Sequence, residues 1–309
     1  MATFIDTLKR NFSAATTPVR LIYINVAMFV AVRLAAIVCM LFNVDIMPAI
    51  CYLEFPSDLS LLLKQPWTII TYQFLHYDLM HILFNMLWLY WLGTMFYQIF
   101  GTRRLIGLYF LGGFGGALIY LAAYNLLPVF AGSMGFLLGA SASILAIVTA
   151  MAVCRPDFKV GMLFLGSISL KWIAIITIFI DFISIGADNT GGHIAHIGGA
   201  AIGALFGIAD RKGIDITAFF NNFIDTVVNL FRRGKSSGSG KFRFKKWRKS
   251  KQSSFGEQKN DNCMHNTTMT PANEAELDKI LAKIKQSGYK SLSVEEKKRL
   301  FDVSNTRKQ

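Results

Sequence analysis

Charged residues are scarce in this chain. Only 17% of its 309 residues are charged, whereas 53% are hydrophobic and 13% are aromatic, and the mean hydropathy is +0.42. A typical soluble domain carries roughly 25% charged residues, so one soluble globule is excluded and a membrane must solvate much of the chain. The four cysteines lie far apart and form no CxxC or Cys/His ligand spacing, so neither a disulfide framework nor a zinc site is indicated.

Acidic residues are outnumbered, at 19 against 32 Lys and Arg, and the basic excess is uneven along the chain. Residues 211–309 contain 22 of the 32 basic side chains. The last third of the chain therefore meets a different solvent from the rest.

Six apolar stretches are long enough to span a bilayer, which takes about 20 residues. They lie near 21–43, 79–99, 105–127, 136–154, 169–187 and 193–209. Lys and Arg cluster beside alternate span ends, as at Arg103 and Arg155, and these ends are assigned to the cytoplasm. The fold class expected is an all-α polytopic membrane protein with cytoplasmic N- and C-termini. The short loops and the lack of a targeting presequence favour a bacterial inner membrane.

Two polar clusters interrupt the apolar spans, where polar groups are costly and therefore functional candidates. His81 and Asn85 are four residues apart in the second span, so a helix places both side chains on one face. Ser141 begins the fourth span among small residues that include Gly139, and a helix start offers free N–H groups.

A third cluster enters the sixth span with His196. Gly199 and Gly203 follow it at spacings that place small residues on the same helix face as the histidine, which permits close helix packing. We therefore expect Gly139, Gly199 and Gly203 to support the packing around the site.

All three clusters lie toward the same leaflet and have complementary chemistry. Ser141 supplies a nucleophile and His196 a general base, while His81, Asn85 and the Ser141 N–H supply oxyanion donors. These parts suit acyl transfer. Each cluster taken alone is also compatible with helix packing or with a structural hydrogen bond.

These motifs together resemble those of the rhomboid family of intramembrane serine proteases, over roughly residues 65–210. The matching residues are His81 and Asn85 on the second span, Gly139 and Ser141 on the fourth, and Ala195, His196, Gly199 and Gly203 on the sixth. The resemblance implies a six-transmembrane-helix rhomboid-like bundle. It also implies that Ser141 and His196 form a catalytic dyad assisted by His81 and Asn85, which hydrolyses peptide bonds in or near transmembrane segments without cofactor or metal.

The chain departs from the family pattern at three positions. Thr68 replaces an Arg in the first outer loop, Tyr97 replaces a Glu at the end of the second span, and Leu145 replaces an aromatic residue that packs on the histidine. These departures bear on how the loop is anchored and how His196 is oriented.

Alternatives exist for both members of the dyad. Ser143 is a second nucleophile, but a helix turns it about 200° away from Ser141, so we interpret it as packing or as bonded to the preceding turn. His193 lacks the Gly at +3 and +7 that follows His196. Asp181 and Asp188 are candidates for a third triad member, but the resemblance implies a dyad, and neither is assigned.

Composition divides the chain into five parts. They are a cytoplasmic N-terminus (1–20), the six-span catalytic domain (21–210), an amphipathic juxtamembrane helix (211–233), a basic flexible linker (234–272) and a short helical hairpin (273–309) with a capping-box pattern at 293–296. We expect the hairpin to dock on a partner or on another copy.

The expected partners are transmembrane protein substrates and membrane lipid. Basic and aromatic residues alternate over 241–249, a pattern that suits an anionic leaflet, and nucleic acid is the rival that we do not favour, because the segment is tethered beside the bilayer. Two other functions stay open. One is a non-catalytic rhomboid-like protein that binds transmembrane segments for quality control. The other is a small-solute transporter, which would need internal repeats that are not evident.

Overall fold

The computed structural model describes residues 3–162, 166–186 and 189–233, and a few positions between 280 and 297. The chain divides into two compact units, Met1–Ser239 and Gly240–Gln309. The first unit contains the apolar stretches and the three polar clusters.

The first unit is mainly helical. In chain order its elements are α1 (Phe4–Ala14), α2 (Thr17–Leu41), α3 (Met47–Cys51), β1 (Phe55–Pro56), α4 (Leu59–Lys64), α5 (Thr68–Thr71), a 3-10 turn (Tyr72–Phe74), α6 (Leu79–Leu126), a 3-10 turn (Pro128–Phe130), β2 (Phe136–Leu137), α7 (Ser141–Cys154), β3 (Lys159–Met162), β4 (Gly166–Ser169), α8 (Leu170–Ile183), α9 (Thr190–Arg211) and α10 (Thr217–Arg233).

Three of the described helices are long and apolar enough to cross a membrane, namely α2, α6 and α9. The 14-residue helix α7 is apolar but shorter, and α8 also has 14 residues. Large hydrophobic side chains are exposed on α2 and α8, such as Leu41 at 73% and Phe182 at 65%. Such surfaces suit lipid rather than water, so the protein is an integral membrane protein with a mostly helical fold.

The second and third predicted spans form one long helix, α6, with a kink. Gly101 has φ 79° and ψ 178°, a conformation outside the helical region that glycine adopts without the steric cost of a Cβ. The kink lies between the predicted spans 79–99 and 105–127.

The predicted start of the fourth span is wrong, and the fold is not purely helical. Residues 136–140 form strand β2 and a turn instead of the start of a helix, because β2 pairs antiparallel with β1 and Gly139 has φ 114°. The second departure from an all-α fold is the antiparallel hairpin of β3 and β4 between α7 and α8, with Lys159 opposite Ser169. Apolar residues in short strands resemble the edge of a span in a hydropathy pattern.

Helix α9 packs between α7 and α6 at very short distances. A Cβ added at Gly199 would lie 2.2 Å from the carbonyl oxygen of Ala142, and one at Gly203 would lie 2.2 Å from that of Ala146. On another face of α9, a Cβ at Gly198 would lie 2.4 Å from the Gly115 oxygen of α6. The glycines thus bring the backbones of three helices together, as the small-residue pattern predicts.

The segment before α6 is anchored by side chains to backbone carbonyls. Trp67 Nε1 donates to the Tyr52 carbonyl (2.7 Å), and the Thr71 hydroxyl donates to the Leu53 carbonyl (2.7 Å). Thr68, one of the family departures, is fully buried and donates to the Gln65 carbonyl (2.7 Å). These hydrogen bonds therefore anchor the segment, although Thr68 stands where the family pattern has an arginine.

An ion-pair network joins the kink of α6 to the end of α9. Arg104 contacts Asp210 at 2.7 Å and Asp215 at 3.2 Å. Asn221 of α10 donates to the Arg103 carbonyl (3.0 Å), so α10 packs beside the kink.

In the second unit, the described residues include the predicted capping box. The Glu296 N–H donates to Ser293 Oγ (3.2 Å), and the Ser293 N–H donates to Glu296 Oε2 (2.7 Å). Lys283 forms an ion pair with the same Glu296 carboxylate at 2.9 Å. The predicted linker at 234–272 lies outside the described residues.

Candidate active site

Ser141 is the first residue of α7 and follows a sharp turn at Gly139. The Gly139 N–H donates to the Tyr72 carbonyl (2.8 Å), which ties this turn to the segment before α6. The turn places Ser141 at a helix start, where backbone N–H groups have no partner within the helix.

His196 of α9 reaches Ser141 directly. The distance between His196 Nε2 and Ser141 Oγ is 2.6 Å, a short hydrogen bond. The contact of Gly199 with the Ala142 backbone lies one turn further along α9, so the close packing of α7 and α9 determines this distance.

The other nitrogen of the His196 ring is also bound. Nδ1 lies 2.7 Å from Asp181 Oδ1 of α8, and Nδ1 of His193 lies 2.9 Å from the same oxygen. An ionised carboxylate only accepts hydrogen bonds, so both Nδ1 atoms carry the proton. Nε2 of His196 is then the acceptor, and the Ser141 hydroxyl donates to it.

His81 and Asn85 lie at the same site. A Cβ at Gly139 would be 3.1 Å from His81 Nε2 and 3.7 Å from Ser141 Oγ, so both side chains point over that glycine. Asn85 is 7% exposed, and its Nδ2 has no hydrogen-bond partner among the described residues. Both residues therefore hold donor groups close to the nucleophile.

His76 packs against the His81 ring, with 5.0 Å between the centroids. It is 1% exposed, and burial together with the neighbouring His81 charge lowers the pKa of His76 to about 4. His76 is thus neutral at physiological pH and forms an uncharged support for His81.

A cavity of about 160 Å³ opens beside the serine. Its lining residues are Asn85, Trp88, Ser141, Ile144, Leu145, Val148, Thr177, Asp181 and His196. The lining is mainly apolar on α7 and polar toward α8 and α9, so the cavity can receive an apolar side chain next to the serine and histidine.

The structure also distinguishes the two alternatives. Ser143 is fully buried and donates to Gln73 Oε1 at 3.2 Å, so it bonds to a neighbouring segment rather than to the preceding turn. His193 contacts Asp181, whereas His196 contacts both Asp181 and Ser141. Asp188 lies outside the described residues.

Sequence reasoning left Asp181 unassigned. The available signal was an acidic side chain inside an apolar span, which is rare without a function. The contact itself could not be read from the sequence, because Asp181 lies on a different helix from both Ser141 and His196.

Asp181, His193 and His196 also form a possible metal-binding group. Their ligand atoms lie within 4.8 Å of one another, and two histidines with one carboxylate are a common zinc ligand set. Metal binding there would compete with the hydrogen bonds of His196, because each Nδ1 would have to lose its proton.

The segment that contains Ser141 and His196 matches a known protein family. The family model "Rhomboid domain" matches residues 63–213, and a family of unknown function (DUF6576) matches residues 271–306. RHOMBOID-like protein 12, mitochondrial, of Arabidopsis thaliana is 34% identical over 158 residues, which cover 47% of this chain and 47% of the relative. This chain therefore spans about half the length of that relative. Residues 63–213 of this chain therefore form a rhomboid domain.

Proposed function

We propose that this protein is an intramembrane serine endopeptidase. The observation that carries the proposal is the 2.6 Å contact between Ser141 Oγ and His196 Nε2, beside a cavity of about 160 Å³. A serine bonded to the unprotonated nitrogen of a histidine is the arrangement required for nucleophilic catalysis.

The proposed reaction has two halves. His196 Nε2 takes the Ser141 proton as Oγ bonds to the peptide carbonyl carbon, and it then gives the proton to the leaving amine as the C–N bond breaks. Water next attacks the acyl-serine ester, again with His196 as base, which releases a carboxylate and restores the hydroxyl. No cofactor or metal takes part in either half.

The oxyanion would be stabilised by three donors. The Ser141 N–H lies at the start of α7, and Asn85 Nδ2 is buried with no partner in the described part of the chain. His81 lies over Gly139 on the same side. An unpaired buried donor is costly, and a developing negative charge would satisfy it.

The substrates proposed are transmembrane segments of membrane proteins. The site belongs to helices with lipid-suited surfaces, and its cavity is lined by α6, α7, α8 and α9. A helical segment would have to unwind locally, because a helical peptide bond hides its carbonyl carbon from a nucleophile.

The proposed topology has six spans, formed by α2, the two halves of α6 around Gly101, α7, α8 and α9. Both termini would be cytoplasmic, and the basic segment 241–249 would contact the anionic leaflet rather than nucleic acid. The bacterial inner membrane remains our proposal for location, although the relative's name places that protein in mitochondria. Protease protection of tagged termini and membrane fractionation test these points.

A non-catalytic protein that binds transmembrane segments is the second candidate. It is supported by Tyr97 and Leu145, which depart from the family pattern. This candidate predicts substrate association without turnover.

Labelling of the purified protein with a fluorophosphonate probe separates the two candidates. We expect labelling of the wild type and of Ser143→Ala, and its loss in Ser141→Ala and His196→Ala. Ser143→Ala is the matched control because it removes a hydroxyl two residues away that bonds to Gln73. If the folded wild type is neither labelled nor able to cleave a reconstituted transmembrane substrate, the binding function is favoured.

A further inference from the structure

The orientation of His196 depends on groups other than Ser141. Its ring is held at both nitrogens, by Ser141 at 2.6 Å and by Asp181 Oδ1 at 2.7 Å. These bonds come from α7 and α8, two helices that both contact the histidine's own helix α9.

Asp181 is buried in an apolar helix, where a carboxylate is costly. Its exposure is 5%, and its hydrogen bonds in the described structure are those from His193 and His196, both to Oδ1. Oδ2 has no partner in the part of the chain that the structure describes. A carboxylate that served only packing would be better replaced by an apolar side chain.

The neighbouring residue on α7 offers no alternative support. Leu145, which lines the cavity with His196, has no aromatic ring to stack on the imidazole. A hydrogen bond at Nδ1 fixes both the plane and the tautomer of a histidine ring, so Asp181 supplies the restraint that Leu145 lacks.

We propose that Asp181 is a positioning residue that makes the site a Ser141–His196–Asp181 triad, with His193 holding the carboxylate in place. This inference rests on the proposed protease function. Asp181 keeps the proton of His196 on Nδ1, so that Nε2 is free to accept the Ser141 proton. After transfer, the imidazolium carries both protons, and the carboxylate stays ionised and stabilises that charge.

His193 has a distinct part in this arrangement. Its Nδ1–H donates to the same oxygen at 2.9 Å from one turn earlier on α9, and its ring lies 5.9 Å from that of His196 at 86°. It therefore restricts the carboxylate without contacting Ser141, and its removal should cost less than the removal of Asp181.

The test combines kinetics with a tautomer measurement. Asp181→Asn keeps the shape but loses the charge, and we expect fluorophosphonate labelling and kcat to fall about 10- to 100-fold, the loss typical of a hydrogen bond to a charged group. KM should stay within about 3-fold, because the residue acts through His196 rather than on bound substrate. Asp157→Asn is the matched control, since Asp157 pairs with Lys171 outside the site. His193→Gln should show a smaller loss than Asp181→Asn.

The tautomer of His196 gives a readout that does not need activity. The chain has five histidines, so ¹⁵N-histidine spectra of the detergent-solubilised wild type can be assigned with His196→Gln. We expect a protonated Nδ1 and an unprotonated Nε2 in the wild type, and a mixture of tautomers in Asp181→Asn.

Two results would overturn this inference. One is a wild-type His196 protonated at Nε2 instead of Nδ1, which refutes it even if Asp181→Asn does not fold. The other is a folded Asp181→Asn variant that is labelled at the wild-type rate. Failure of the proposed function is distinguishable, because the wild type itself would then resist labelling while its tautomer could still be measured.

Discussion

A methyl group added at Gly199 should slow catalysis and lower the stability of the fold. The Cβ of Gly199→Ala would lie 2.2 Å from the Ala142 carbonyl oxygen, whereas ordinary van der Waals contact begins at 3.4 Å. A backbone carbonyl cannot avoid the clash by changing rotamer, as a side chain could. Helices α7 and α9 must therefore separate by about 1 Å at this point.

That separation acts on the catalytic pair, because Ser141 precedes Ala142 and His196 is one turn from Gly199. The Oγ–Nε2 distance would lengthen from 2.6 Å toward roughly 3.5 Å, beyond hydrogen-bond range. A misplacement of about 1 Å costs roughly 100-fold in rate, and the overpacking costs about 1–3 kcal/mol of stability.

Fluorophosphonate labelling and thermal unfolding in detergent measure the two effects. Gly161→Ala is the matched control, since a Cβ there meets nothing within 4 Å. If Gly199→Ala is labelled at the wild-type rate and unfolds at the wild-type temperature, the close approach of α7 and α9 does not determine the geometry of the site.

Three further results are expected. Asn85→Ala should lower kcat about 100-fold with the fold intact, because removal of one oxyanion donor has that cost, and wild-type turnover in this variant would exclude Asn85 from the oxyanion site. Burial outweighs the hydrogen bond from Tyr77 and raises the pKa of Glu54, so stability should decrease as pH rises through that pKa. Glu54→Gln should remove this dependence from unfolding curves measured between pH 4 and 8, and an unchanged slope would contradict it. Zn²⁺ should inhibit labelling by displacing the Nδ1 protons of His193 and His196, and His193→Gln should weaken the inhibition; equal inhibition of both proteins would argue against this site.

The sequence was sufficient to predict what depends on local spacing. Gly199 and Gly203 are four residues apart and share a helix face wherever the helix packs. The close packing predicted for that face is seen in their contacts with the α7 backbone. The pairing of Ser141 with His196 was likewise predictable, since a serine at a helix start and a histidine on a small-residue face have complementary roles.

Features that depend on contacts between distant segments were not predictable in the same way. Residues 136–140 are apolar enough to continue a span, but strand pairing with Phe55 and Pro56 makes them extended. Hydropathy reports how apolar a segment is and not which backbone groups it bonds to. A short apolar strand therefore cannot be told from the end of an apolar helix by hydropathy.

Asp181 shows how a physical cost can choose between family pattern and chemistry. The family pattern implies a dyad and leaves no role for this residue, whereas the cost of a buried carboxylate requires a compensating interaction. The two compensating groups in the described structure are histidine N–H donors, one of which belongs to the ring that contacts Ser141. A neutral hydrogen-bonding residue would support packing at lower cost, so the retained charge favours a role in stabilising the imidazolium that forms when His196 takes the serine proton. Asp181→Asn tests that difference directly, because it changes the charge and leaves the volume.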